Sequence, residues 1–169
     1  IMEMFGGEGL LRPAMHYRWN FDEDNLDFIL QQFGLFALPQ VPPEERRDMA
    51  LHAAGRMRKA AVAFGVTAET VPDIEAAYHD TMTELDAHFT AHPYLLGGAP
   101  TIGDYGLFAA LYPHLGRDPH PLRLMQGKAQ MLLRWTERMR NPSSDMVEFI
   151  GRDESLLGDD AIPKTLKVL

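Results

Sequence analysis

Residues 88–115 read HFTAHPYLLGGAPTIGDYGLFAALYPHL, and residues 132–142 read LLRWTERMRNP. In the first stretch, Thr101 stands three residues before Asp104. This spacing is typical of a capping box, in which the Thr101 hydroxyl accepts a hydrogen bond from the amide of residue 104 and the Asp104 carboxylate accepts one from the amide of Thr101. The box would open an apolar helix that runs to about Leu115. A helix that is apolar nearly all round predicts a place in the centre of the domain.

The helix before this box has the clearest periodicity in the chain. Between Asp73 and His92, apolar or aromatic residues recur every three or four positions, which predicts one buried face of an α-helix. Thr70 and Asp73 have the spacing of a second capping box, and Pro93 should end the helix. The predicted buried face consists of Ile74, Tyr78, Met82, Leu85 and Phe89.

Four further helices are predicted in the same way. Gly65 fits a helix C-cap, Pro113 should kink or end the central helix, and residues 118–121 are typical of a turn. The further helices, with their expected inward residues, are 10–19; 24–38 with Leu26, Ile29, Leu30, Phe33 and Phe36; 43–64 with Met49, Ala53, Met57, Ala60 and Phe64; and 128–140 with Met131, Leu132, Trp135 and Met139.

These patterns predict an all-α fold of about six or seven helices. No alternation typical of strands stands out. The chain has 169 residues, which suits one domain over residues 1–169, with the tail 143–169 packed over the bundle. Gly6, Gly7 and Gly9 weaken the turn before the first helix.

Composition excludes several classes of protein. The chain has no cysteine, so it carries no disulfide, thiolate metal site or cysteine nucleophile of its own. The net charge of −8 argues against a partner that is nucleic acid or an anionic membrane surface. No apolar run reaches the roughly 18 residues of a membrane span, and no signal peptide is seen.

The sequence resembles the C-terminal helical domain of the glutathione S-transferase family. In that family a helix ends near HPYLLG, a T-[IL]-x-D box opens the central helix, and a later helix ends in W-x-x-R-M-x-x-P. The segment 14–21 (AMHYRWNF) and the ending AIPKTLKVL resemble one bacterial branch. The matching residues are Pro93, Leu95, Leu96, Gly97, Pro100, Thr101, Asp104, Trp135, Arg138, Met139 and Pro142.

The resemblance implies a second domain that this chain does not contain. Family members place a thioredoxin-like domain before the helical one, and that domain binds the co-substrate glutathione and activates its thiol. No residue of this chain is therefore expected to be catalytic, and the chain alone is expected to be inactive. The resemblance also implies a two-fold homodimer formed by the first two helices, a small hydrophobic electrophile as second substrate, a role in detoxification and a cytoplasmic location.

In this family the helical domain shapes the pocket for the second substrate, and the first helix faces the missing domain. Arg12, Met15, His16 and Trp19 fall at helical spacing and are the candidate substrate-binding residues. Each also has an ordinary interpretation: core packing for Met15 and Trp19, an ordinary hydrogen-bonded histidine for His16, and a surface or dimer ion pair for Arg12. Arg18 shares the last interpretation.

No metal site is expected. His88 and His92 have i, i+4 spacing, with Glu84 and Asp86 nearby, but a third ligand at close spacing is missing.

Two alternatives to a transferase stay open. Such domains also serve as non-catalytic interaction or scaffold domains, and the pattern could belong to an independent helical bundle. The chain also departs from the family at Gly103, where alanine is usual, and at Gly7 and Gly9, where larger residues are usual. These departures leave the shape of the first helix and its pocket open.

Overall fold

A computed structural model describes residues 1–141, 147–159 and 161–169, and within these residues the fold is helical. Seven helices of nine or more residues are present there, which confirms the all-α prediction. The helices are α1 (Met2–Met4), α2 (Leu11–Trp19), α3 (Asp27–Ala37), α4 (Pro43–Ala63), α5 (Val71–Ala91), α6 (Ile102–Ala110), α7 (Pro119–Lys128), α8 (Gln130–Arg140) and α9 (Lys164–Lys167), and π-helical turns span Phe5–Gly9, Asp22–Leu26 and Leu111–Leu115.

Helix α5 lies at the centre of the fold. Its five predicted inward residues, from Ile74 to Phe89, are all buried, as the periodicity predicts. Helix α8 packs against it, and the ring of Trp135 stacks on Phe89 with centroids 4.7 Å apart. The predicted capping box at Thr70 does not form, because the Thr70 hydroxyl donates to the carbonyl oxygen of Gly65 instead.

Helix α4 corrects the predicted inward face. Met49, Met57 and Phe64 were expected to be buried, but all three side chains are exposed. The buried face lies one position further along and consists of Ala50, Ala54 and Ala61. Small side chains bring α4 close to α2 and α3, so the larger apolar residues remain outside.

The predicted face of α3 is also only partly right. Ile29 and Leu30 are buried, but Phe36 is 89% exposed near the end of the helix. Gly34 explains the close approach of α3 to α4, since a Cβ atom there would stand 2.7 Å from Cγ of Arg46. The first turn of the predicted helix is π-helical rather than α-helical.

The N-terminal segment 2–9 crosses helix α6 at close range. A Cβ atom on Gly6 would lie 2.4 Å from the carbonyl oxygen of Gly106, and one on Gly106 would lie 2.4 Å from Cα of Glu3. Gly103, the departure from the family pattern, sits beneath Met2. These glycines therefore allow two backbones to touch, a role that helix propensity alone does not reveal.

Two predictions about the middle of the chain are wrong. Helix α6 is not buried all round, because Ile102 is 75% exposed and Tyr105 is exposed beside it. Residues 118–121 are not an isolated turn, because α7 begins at Pro119, where a missing amide proton costs nothing. Pro113 falls in the π-helical turn that follows α6.

The described parts of the C-terminal tail pack on the helices. The Leu157 amide donates to the carbonyl oxygen of Leu96 at 2.8 Å, and Leu166 is buried against the core. Helix α8 ends at Arg140. Pro142, the last residue of the family pattern, and the first tail residues 143–146 lie outside the described residues.

Candidate functional site

Asp104 is the most heavily hydrogen-bonded carboxylate of the core, and its role is structural. It is fully buried and accepts hydrogen bonds from the amides of Leu95 and Thr101, from the Thr101 hydroxyl and from Nε1 of Trp135. Thr101 and Asp104 form a capping box at the start of α6. Burial raises the pKa of Asp104, and the hydrogen bonds oppose that rise. A fully enclosed carboxylate cannot reach a ligand.

Arg12 lies exposed in the first turn of α2. Its Nε donates to the carbonyl oxygen of Phe64 at 3.1 Å, which ties α2 to the end of α4. The side chain lines a cleft of about 360 Å³ between the N-terminal segment, α2 and α5. Asp73 and Thr70 line the same cleft, so this cleft is polar at its mouth.

His16 is buried in the core, and Met15 is partly buried. His16 is 3% exposed. Its Nε2 lies 2.9 Å from Oε1 of Glu75, and its Nδ1 lies 3.0 Å from the side-chain nitrogen Nδ2 of Asn20. Both ring nitrogens therefore have partners within the chain. Met15 packs between the apolar clusters around Trp19 and around Ala61. Neither side chain lines one of the clefts described here.

Trp19 lines a second cleft, of about 430 Å³, between α2, α3 and the segment 117–118. Its apolar walls come mainly from aromatic rings, and we call it the aromatic cleft. Of the four sequence-predicted residues, only Trp19 lines this cleft, while Arg12 lines the other. The aromatic cleft is lined by Arg18, Trp19, Phe28, Ile29, Gln32, Phe33, Leu35, Phe36, Arg117 and Asp118.

The two arginines of the aromatic cleft differ in their hydrogen-bond and ion-pair partners. Arg18 forms a two-point ion pair with Asp118, at 2.7 Å and 2.8 Å, and also donates to the carbonyl oxygen of Pro113. Burial raises the pKa of Asp118, while Arg18 opposes the rise. Arg117 instead lies over the ring of Phe28, 5.8 Å from its centroid, and donates to the side-chain oxygen of Gln32.

Sequence reasoning missed Phe28, Gln32 and Arg117. Phe28 and Gln32 lie on α3, while Arg117 follows more than 80 residues later. Helical periodicity reports which residues share one face of one helix, not which helices meet. No pattern in the sequence pairs these positions.

The third cavity is an open apolar groove beside the start of α6. It has a volume of about 540 Å³ and lies between the N-terminal residues, the loop before α6 and the C-terminal residues. Ile102, Leu96 and Ile162 line it and are exposed. A groove of this kind suits an apolar partner surface better than a polar ligand.

The described residues contain no group of three or more metal-ligating side chains close enough to hold an ion. Of the two histidines with i, i+4 spacing, His88 is already engaged. Its Nε2 faces the carbonyl oxygen of Tyr94 at 3.3 Å, and its Nδ1 faces the Thr165 hydroxyl at 3.0 Å. Burial lowers the pKa of His88 to about 4. Among the helices in the described part of the chain, none has the length and apolar character to cross a membrane.

Comparison with protein families gives one match. Residues 56–138 match the family described as "Glutathione S-transferase, C-terminal domain". The matched region runs from within α4 through α5, α6 and α7 and covers most of α8. Comparisons with curated proteins and with solved structures find no match.

Proposed function

We propose that this chain, whose residues 56–138 match the C-terminal domain of glutathione S-transferases, is the helical half of such an enzyme. In the proposed reaction, the thiolate of glutathione attacks a small hydrophobic electrophile. The family match over residues 56–138 is the observation that carries this proposal. Glutathione and the group that activates its thiol would belong to a thioredoxin-like domain of the same protein, in the cytoplasm. This chain would supply the wall of the second-substrate pocket.

The aromatic cleft is the best candidate for that wall. Ligand pockets of about 300–1,000 Å³ with apolar, aromatic linings suit small molecules, and this cleft has about 430 Å³. Trp19, one of the sequence-predicted residues, lines it together with Phe28 and Phe33. The cleft at Arg12 is smaller, and its aromatic lining is limited to Phe5 and Tyr78, so it suits a hydrophobic electrophile less well.

The apolar groove beside α6 is the proposed contact for the thioredoxin-like domain. Ile102, Leu96 and Ile162 expose apolar surface there, and a covering domain would remove that surface from water. The groove does not overlap the aromatic cleft. Domain contact and substrate binding would therefore use different residues of this chain.

The exposed apolar side of α4 is the proposed site of self-association. Helical spacing places three apolar side chains on one side of this helix and its C-cap, and all three are exposed: Met49, Met57 and Phe64. A homodimer would bury them. Sedimentation velocity of the chain should show a dimer, and Met57→Ser should shift the distribution toward monomer. A concentration-independent monomer at high concentration would contradict this part of the proposal.

Glutathione titration calorimetry tests the division of labour. The 169-residue chain is compared with the product of its complete reading frame. We expect heat of binding only from the longer protein, because the proposal assigns the glutathione site to the thioredoxin-like domain. Saturable binding of glutathione to the chain alone would contradict the proposal and place the site among these helices.

An interaction or scaffold domain is the second candidate function. It is favoured by one observation: Arg12 and Trp19 line separate clefts, so the predicted substrate residues do not form one pocket. Conjugation assays on the complete product separate the two functions. A product that binds no glutathione and conjugates no electrophile would favour the scaffold.

A further inference from the structure

A guanidinium without a carboxylate partner lies at the edge of the aromatic cleft. Arg117 is exposed, lies over Phe28 and donates a hydrogen bond only to the neutral amide of Gln32. In the described part of the chain, no carboxylate oxygen comes within 4.0 Å of its nitrogens, whereas Arg18 in the same cleft is paired at two points with Asp118. Among the described residues, Arg117 therefore has no carboxylate partner of its own, because the nearby Asp118 is bound by Arg18.

The charges around the cleft leave that positive charge uncompensated. Asp118 is neutralised by Arg18. His114, beside both arginines, is uncharged near neutral pH, because burial and the two cations lower its pKa to about 4. On the neighbouring π-helical turn, Asp24 contacts His120 and Arg123 and is likewise occupied.

Asp22 on the same turn pairs with Arg58. The cleft thus presents one net positive charge on a chain whose net charge is −8. An isolated cation on an acidic surface gives an anion one place to bind and repels it elsewhere.

We propose that the aromatic cleft binds a small aromatic anion, whose ring packs against Trp19, Phe28 and Phe36 and whose carboxylate or sulfonate meets Arg117. A guanidinium that lies over a ring keeps its in-plane N–H groups for an anion, and its fork matches two oxygens at once. The aromatic walls supply stacking surface for the ring. Resting on the proposed function, this assigns the second substrate to the class of anionic aromatic electrophiles.

The test compares two probes that differ in charge but share a ring system. Isothermal titration calorimetry on the 169-residue chain uses 2-naphthalenesulfonate and the neutral 2-naphthalenesulfonamide. We expect the anion to bind about 10-fold more tightly, since a charge-assisted hydrogen bond at a partly exposed site contributes roughly that factor. Added salt should narrow the difference.

Arg117→Gln should abolish the preference for the anion and leave the affinity for the sulfonamide unchanged. Arg140→Gln is the matched control, because Arg140 is also an exposed arginine over a ring, 5.3 Å from the centroid of Tyr112, but outside the cleft. The control should retain the full preference. Loss of the preference in both variants would overturn the assignment to Arg117.

Tryptophan fluorescence locates the probes. The chain has two tryptophans, and only Trp19 lines the cleft, while Trp135 is fully buried in the core. Quenching by the anion should disappear in Trp19→Phe, and persistent quenching in that variant would overturn the proposed location. Equal affinity for the two probes would overturn this inference but leave the cleft as a hydrophobic wall. Failure of both probes to bind would also remove the cleft from the proposed function.

Discussion

Helices α4 and α5 have the same length, 21 residues, but opposite relations to the rest of the molecule. Helix α5 packs against α2, α7, α8 and α9, and its whole predicted apolar face is buried. Helix α4 packs against α2 and α3 through alanines and exposes Met49 and Met57. An apolar face of a helix thus favours burial, but the covering surface can belong to another molecule rather than to the same chain.

The difference separates a completed core from a surface that offers contacts. Beside α5, the buried Asp104 carboxylate is hydrogen-bonded, and the apolar side chains around the helix are enclosed. On the side of α2, α3 and α4 lie the aromatic cleft and the exposed methionines. We therefore expect substitutions near α5 to change stability, and substitutions on the opposite side to change binding or association.

The largest effect is expected at Asp104. Asp104→Ala leaves the buried donors of Leu95, Thr101 and Trp135 without their acceptor, and should lower the free energy of unfolding by about 3–5 kcal/mol. Urea denaturation measures this. The matched control is Asp73→Ala, because Asp73 is exposed at the start of α5, where no capping box forms. A cost at Asp73 as large as that at Asp104 would contradict the account of the box.

The next pair compares the two helices directly. Leu85→Ala on α5 removes a side chain that is fully buried, and should cost about 3 kcal/mol through lost burial and a residual cavity. Met57→Ala on α4 should change the free energy of unfolding of the monomer by less than about 0.5 kcal/mol, since that side chain is exposed. Urea denaturation at low protein concentration measures both changes. Similar losses of unfolding free energy at the two positions would contradict the distinction between α5 and α4.

Substitution of two glycines by alanine is expected to change the stability of the chain in opposite directions. Gly106→Ala on α6 should destabilise the chain by about 2 kcal/mol, because the added methyl group would collide with the backbone of Glu3. Gly55→Ala on α4 should stabilise it by about 0.5–1 kcal/mol, because no atom lies within 4 Å of the new methyl group and alanine favours a helix. Thermal unfolding monitored by circular dichroism gives both signs. Stabilisation by Gly106→Ala would mean that the N-terminal segment does not pack on α6.

A further predicted stability effect depends on pH. His88 has a pKa of about 4 in the folded chain, lowered by burial, against about 6.5 when unfolded. Between these values the unfolded chain binds more protons. The stabilisation is therefore present above about pH 6.5 and is lost as pH falls toward 4. The loss should be roughly 1–2 kcal/mol at pH 5.

Urea denaturation from pH 7.5 to 5 measures this loss, and His88→Gln on α5 should reduce the slope of stability against pH, leaving the part due to His114, whose pKa is also lowered to about 4. His52→Gln on α4 is the control, because His52 is exposed. If the slope of stability against pH is the same in His88→Gln as in the unsubstituted chain, the assignment to His88 is wrong.

The sequence predicts the core well and the candidate site poorly, for one physical reason. The face of α5 and the box at Thr101 and Asp104 depend on spacings of three and four residues, which a helix converts into contacts. The aromatic cleft depends on how α3 meets the segment at Arg117, far away in the chain. The position of α3 is in turn set by close contacts to α4, such as Gly34 against Arg46, which leave no local pattern.

The glycines show the same limit. In the sequence, Gly103 and Gly6 count only as weak helix formers. In the structure they let the N-terminal segment touch α6, and so determine what covers the central helix. The sequence pattern places the buried face of α4 one position too early, because methionine and phenylalanine are more apolar than alanine. The structure instead selects side chains small enough for close helix packing.

The proposed role of this chain is to supply the second-substrate wall of a glutathione S-transferase at the aromatic cleft. The most direct measurement is steady-state conjugation by the product of the complete reading frame, with Phe36→Ser beside the unsubstituted protein. Phe36 is 89% exposed, so the variant should keep its fold. In Phe36→Ser we expect KM for an aromatic electrophile to rise several-fold and KM for glutathione to stay unchanged. An unchanged KM for the electrophile, or no conjugation by a product that binds glutathione, would contradict it.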